Sequence, residues 1–199
     1  MAQYRETLQE DRRLLLDRYA MRDFALKVVG VGSVGLGAFI ALFMGGTEDD
    51  PLFLQVKQAE ASVYERYLAP SPAASHGERV VTGQRRLQAA SDILLGWGVG
   101  EQGRHWYIRQ HEDQKGSAVI ESMTAADLLT WGELCAWALA RGHARSGEPA
   151  TISAYLGTDD AFERAMVTFA KAYADQTERD HAALTSAIKA GRITAASGV

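Results

Sequence analysis

Lys27-Val-Val-Gly-Val-Gly-Ser-Val-Gly35 and, beyond an acidic turn, Pro51-Leu-Phe-Leu-Gln-Val-Lys57 are the two pieces whose reading decides the fold. The first holds a G-x-G-x-x-G at Gly30, Gly32 and Gly35, with Ser33 inside it. A dinucleotide-binding βαβ unit would need a helix directly after these glycines. The chain continues instead with the apolar run Ala38 to Met44, which reads as a strand. Gly45-Gly-Thr-Glu-Asp-Asp50-Pro51 is then a strong turn signal, and Leu52 to Val56 returns as an antiparallel strand. The glycine loop therefore bridges two antiparallel strands. Backbone N–H groups in such a loop can approach phosphate oxygens unobstructed, and a lysine on a neighbouring strand neutralises their charge. Gly30, Gly32, Ser33, Gly35 and Lys57 are the candidate nucleotide-phosphate residues. Such a lysine is expected to pair with a glutamate on the next helix, for which Glu65 and Glu78 are both candidates. The competing reading is a glycine-rich hairpin packed for core reasons, with Lys57 at the surface.

Working outward, residues 4–26 are expected to form one amphipathic helix, with Tyr4, Leu8, Leu15 and Tyr19 on its apolar side. Glu60 to Leu68 is helical in pattern and Pro70-Ser-Pro72 breaks it. Gly77 to Ser91 is a further helix. Ile93 to Val99 and Trp106 to Gln110 make a hairpin across Gly100-Glu-Gln-Gly103. Thr124-Ala-Ala-Asp127 resembles a capping box at the start of a helix that Gly147 and Pro149 end. Asp159 or Asp160 caps the next helix, and Thr177 begins another that ends at Gly191. The expected fold class is α+β: residues 1–123 carry an N-terminal helix and an antiparallel-sheet region, and residues 124–199 a helical segment.

Across the 199 residues, 47% hydrophobic and 23% charged content is that of an ordinary globular protein. The net charge of −4 gives no electrostatic reason to expect a nucleic-acid partner. A lone Cys135 excludes an intrachain disulfide. With Gln3, Arg5, Glu6, Glu10, Asp11 and Arg12 at the start, no signal peptide is read, and the expected location is cytoplasmic. Val28 to Gly46 is uncharged and about as long as a spanning helix, so a single-span membrane protein is the least favoured reading. Gly30, Gly32, Gly35, Gly37, Gly45 and Gly46 count against it, since interior glycines weaken a helix.

The pattern resembles the kinase small lobe, where a G-x-G-x-x-G loop precedes a strand ending on lysine. In combination, the two opening pieces, Gly83-Gln-Arg85 with Gln88-Ala-Ala-Ser-Asp92, Tyr107-Ile-Arg-Gln110 with Lys115-Gly-Ser117, His143-Ala-Arg-Ser-Gly147 and Tyr173-Ala-Asp-Gln176 resemble the C-terminal half of a bacterial family, domain of unknown function 2252. That resemblance implies a kinase-like phosphotransferase relative that binds nucleotide, with ATP and magnesium as the implied cofactors. Two departures stand out. The family usually follows its loop with Thr-Arg, where this chain has Leu36-Gly37, and it follows the lysine strand with Glu, where Gln58 stands. The family's upstream Gly-Asp-x-His-x-x-Asn and Asp-Phe-Asp stretches, resembling a catalytic loop and metal-binding motif, do not occur here. Phosphoryl transfer depends on positioning and a held metal ion, so this polypeptide is not expected to be an active kinase alone.

The functional expectation is a truncated or separately encoded kinase-like fragment that binds nucleotide and whose partner is the missing N-terminal half or a second copy. The alternative is a non-catalytic interaction module of the same fold. Arg109, Asp113 and Lys115 could line the hinge side of a nucleotide cleft, or form a solvated strand end. His143, Arg145 and Ser146 read chiefly as a helix C-terminus meeting its dipole, Cys135 lies on an apolar stripe, and Asp175, Asp180 and His181 share a solvated face.

Overall fold

The sheet takes the strand order β1-β2-β3-β5-β4, all neighbours antiparallel: β1 (Ala20–Leu26), β2 (Ala38–Met44), β3 (Pro51–Ala59), β4 (Gly96–Val99) and β5 (His105–Gln110). The computed structural model describes residues 2–27, 35–111, 116 and 118–195. The chain divides into two compact units, Met1–Gly147 and Glu148–Val199. The α+β class expected from the sequence is the observed one. The turn after β2 closes as its residues suggest: the Gly45 N–H donates to the Asp50 carbonyl at 2.9 Å. A side chain at Gly45 would collide with the Asp50 carboxylate, which accepts a hydrogen bond from the Tyr19 hydroxyl at 2.9 Å.

The single helix expected over residues 4–26 is not formed. It is replaced by α1 (Ala2–Glu6), α2 (Glu10–Leu16) and strand β1. Gln9 between the helices is extended at φ −64° and ψ 152°, so the pattern breaks there. Beyond Asp17 the chain gains more by pairing with the open edge of the apolar β2 than by continuing a helix, a case of tertiary pairing overriding local propensity. As an edge strand β1 is exposed along its whole length, and its register shifts between Met21 and Asp23, a device that discourages edge-to-edge association.

Alternation along the strands divides the sheet into two faces. On the first, Ala41, Phe43, Leu52, Leu54, Val56 and Ile108 form one cluster with Tyr4 of α1, Leu16 of α2, Leu8 between these helices, and Leu94. The Tyr4 hydroxyl is buried there and donates to the Leu94 carbonyl at 2.6 Å. Burial, reinforced by the Asp92 charge, pushes the Tyr4 phenol far above its ordinary range, so the hydroxyl remains a donor. Gly96 faces α1, where a Cβ would press on Thr7 and the Tyr4 ring.

Helix α3 (His76–Leu87) lies against the opposite face. Its Arg85 guanidinium sits 5.8 Å from the Trp97 ring centroid, and Val81 is fully buried beneath it. The start of α3 is stitched to β5, since the His76 N–H donates to His105 Nδ1 at 3.0 Å. Ser75 caps it, accepting from the Glu78 N–H at 3.0 Å. The helix expected over Glu60 to Leu68 is reduced to one 3₁₀ turn, Val63–Arg66. Ser62 caps that turn through Tyr64, and the Pro70-Ser-Pro72 breaker leaves it no room to propagate.

Helix α4 (Ala125–Ser146) begins with the anticipated capping box. Asp127 N–H donates to Thr124 Oγ1 at 3.2 Å, and Thr124 N–H donates to Asp127 Oδ2 at 2.9 Å. The Thr124 hydroxyl, which donates to Asp127 Oδ2 at 2.7 Å, and then the Thr124 N–H hold the Asp127 carboxyl below its usual range. Gly142 on α4 admits Leu87 of α3, and Arg145 Nε donates to the Arg86 carbonyl at 3.0 Å, satisfying an end-of-helix acceptor.

In the second unit, Pro149 does not simply end a helix but occupies the first turn of α5 (Pro149–Leu156), where its missing N–H costs nothing. Helix α6 (Ala161–Lys189) is continuous where two helices were expected. Thr177 does not cap a new helix. Its hydroxyl donates to the Tyr173 carbonyl one turn back, at 2.9 Å, which lets threonine sit in a helix interior. Gly191, at φ +70°, follows the helix end as the sequence suggests.

Candidate functional site

The face of the sheet opposite the apolar cluster carries the basic residues. Ala38, Lys57, Tyr107 and Trp97 stand directly opposite one another across β2, β3, β5 and β4, so their side chains share that face. In the next row Gln55 faces Arg109, whose Nε donates to Gln55 Oε1 at 3.1 Å. Lys27, just past β1, continues the first row, since its N–H donates to the Ala38 carbonyl at 2.9 Å. The Lys27 ammonium then lies 3.1 Å from His111 Nε2, and the His111 N–H donates to the Phe53 carbonyl at 2.8 Å. One surface thus collects Lys27, Lys57, Arg109 and His111. Burial pushes the Tyr107 phenol up, against the opposing influence of Arg109, so its hydroxyl also stays protonated on this face.

Lys57 pairs with Ala38, the first residue of β2, three positions after Gly35 in the sequence. Gly30, Gly32 and Ser33 lie outside the described residues. Gly35 is described and has φ +83°, a left-handed conformation that glycine adopts without strain, with open space where a side chain would be. Gly37 and Gln58 are bonded to each other. Gly37 N–H donates to Gln58 Oε1 at 3.1 Å, and Gln58 N–H donates to the Gly37 carbonyl at 2.8 Å. A Cβ at Gly37 would fall 2.8 Å from the Trp106 ring, so a larger residue there would require that ring to move.

The two candidate glutamates both make local contacts at the start of α3. Glu65 lies in the 3₁₀ turn with an oxygen 3.9 Å from Arg79 Nε. Glu78 accepts from the Ala74 N–H at 2.8 Å, adding to the cap made by Ser75. Asp113 and Lys115 lie outside the described residues. The contact between Lys27 and His111 escapes a reading of the sequence. Its only local signal is a lysine directly before the glycine loop, and the histidine is 84 positions away.

The weaker constellations resolve into local structure. Arg145 bonds the end of α3, Ser146 Oγ donates to the Gly142 carbonyl at 2.8 Å, and His143 lies in the last turn of α4. Cys135 is exposed. Asp180 accepts from Gln176 along α6 at 2.7 Å. Among the described residues no group of three or more His, Cys, Asp or Glu side chains is placed to hold a metal ion. Nor is any helix there long and apolar enough to cross a membrane, and Ala38–Met44 of the uncharged stretch is strand β2.

A family described as uncharacterised protein conserved in bacteria, domain of unknown function 2252, matches residues 1–187. The chain belongs to this family. The domain of unknown function 2252 match runs through the whole sheet unit and nearly to the end of α6, and its description assigns no activity. No curated protein and no solved structure matches the chain.

Proposed function

We propose that the sheet unit is a nucleotide-phosphate-binding lobe of kinase-like build, taking ATP with magnesium. The observation that carries this reading is the register that sets Lys57 beside Ala38, just after Gly35 of the glycine motif, on the face that also holds Lys27, Arg109 and His111. Lysine on the third strand, a glycine motif in the sequence between the first two and a helix inserted after the third follow the order of the parts that cradle phosphates in kinases. The lobe binds and orients, while transfer requires metal-holding carboxylate and amide groups that a missing N-terminal half would supply. The test is a thermal melt of the purified chain with and without magnesium ATP. A saturating nucleotide is expected to raise Tm by a few degrees, as ligand binding to the folded state must, and Lys57→Ala to abolish the rise. Absence of a shift in the parent chain, or an undiminished shift in Lys57→Ala, overturns the reading.

A second reading, self-association through a protein-interaction surface, is favoured by the exposed side chains of α4, where Leu134 is 57% and Trp137 60% accessible. Arg141 lies 4.5 Å from the Trp137 ring centroid, a cation–π pairing on the same helix. Sedimentation velocity is expected to show association that rises with concentration and weakens in Trp137→Gln. A monomer at every concentration rules this reading out.

A further inference from the structure

A recess of about 260 Å³ opens between α2 and the segment joining α3 to β4, lined by Gln9, Arg12, Arg85, Ser91, Asp92 and Ile93. We propose that it is an anion site for a phosphate group.

Arg12 from α2 and Arg85 from α3 both line this small recess. Arg85 is held in place, with one N–H donating to the Leu95 carbonyl at 2.5 Å and its plane over Trp97. A planar guanidinium has further N–H donors in a fixed fork that matches the oxygens of phosphate. Arg12 is half-exposed, with Nε 3.3 Å from the Asp11 carboxylate at the surface, an arrangement that contributes little to stability. Bringing two like charges into one recess is unfavourable unless an anion joins them.

The lining acid does not cancel this charge. Asp92 is a single carboxylate against two cations, and its oxygens are turned to the backbone. One accepts from the Leu94 N–H at 2.8 Å and the other from the Gln110 N–H at 2.6 Å. Ser91 also lines the recess, and in this structure its hydroxyl oxygen is shut off from solvent with no hydrogen-bond partner. A buried hydroxyl without a partner costs free energy, and a rotation of the Ser91 side chain into the recess would let it donate to an oxyanion there. The side-chain amide of Gln9, which makes no capping bond to α2, adds a neutral donor at the rim. The recess has room for a phosphate carrying a small organic group as well as for the free ion.

The probes are inorganic phosphate and glycerol 3-phosphate, titrated calorimetrically into the full chain in chloride buffer at constant ionic strength. Saturable binding is expected, weakened roughly tenfold or more in Arg12→Gln, since a charge-assisted hydrogen bond is lost. Arg12→Gln is the variant of choice because Arg85 also holds the fold. Its melting temperature without phosphate is expected to match the parent. Ser91→Ala is expected to weaken binding by a smaller factor. Lys57→Ala should leave it unchanged, which separates this site from the glycine loop. Tighter binding of glycerol 3-phosphate identifies a phosphomonoester as the ligand, and tighter binding of inorganic phosphate identifies the free ion. No saturable binding at millimolar phosphate, equal affinity in the parent and Arg12→Gln, or loss of binding in Lys57→Ala overturns the proposal.

Discussion

Alanine at Gly77 is expected to destabilise the sheet unit by roughly 3 kcal/mol, the upper part of the range for forcing atoms into a packed interior. Gly77 is buried in the first turn of α3, where the helix meets β5. A Cβ there would overlap the Trp106 carbonyl oxygen and stand 3.0 Å from both the Trp106 carbonyl carbon and the Trp97 Cβ. These are backbone and first side-chain atoms of paired strands, so no flexible chain end can swing aside. The helix itself must move away from the sheet. That motion breaks the His76 to His105 hydrogen bond and shifts Glu78. Urea unfolding should show a lower midpoint for Gly77→Ala, whereas Gly83→Ala, with nothing within 4 Å of the added carbon, should equal or exceed the parent. An unchanged midpoint for Gly77→Ala would show that α3 does not seat as described.

Leu54→Ala is expected to cost about 2–5 kcal/mol, the range for emptying a leucine site in a core. Leu54 has no accessible surface and lies at the centre of the sheet, opposite Ala41 on β2 and Gln110 on β5. Both neighbouring strands are pinned by hydrogen bonding, so the site cannot collapse to fill the cavity. Against the roughly 5–15 kcal/mol that a domain ordinarily has, such a loss leaves a large unfolded fraction. Phe53→Ala, one residue away on the partly exposed side, is the control and should cost much less. Equal losses at the two positions would contradict the assignment of faces.

That assignment is only partly legible in the sequence. The turn from Gly45 to Pro51, the hairpin around Gly100 to Gly103 and the Thr124 capping box are all visible, because each is made by residues a few positions apart whose chemistry dictates backbone geometry. Residues 20–26 carry a helical pattern yet form a strand because their partner is β2, and nothing within the segment records that pairing. Thr177 reads as a helix start because a threonine hydroxyl can cap a helix or bond back within one, and local sequence does not choose between them. The site is legible to the same depth. The glycines and Lys57 are a visible pattern, while the place of Lys57 beside Ala38, and of Lys27 beside His111, depends on register and on how the strand ends meet.

By itself the sequence determined that this is an α+β chain with an antiparallel sheet, a glycine loop before an apolar strand and a lysine at the end of the next. Tertiary structure alone decided which side chains share a face, that α3 closes against β4 and β5 through Gly77, and that Arg12 and Arg85 open onto one recess. The physical reason is range. Turns and caps draw on contacts within a few residues, whereas faces and recesses are made by residues far apart in sequence, brought together when the sheet pairs and its apolar side is buried.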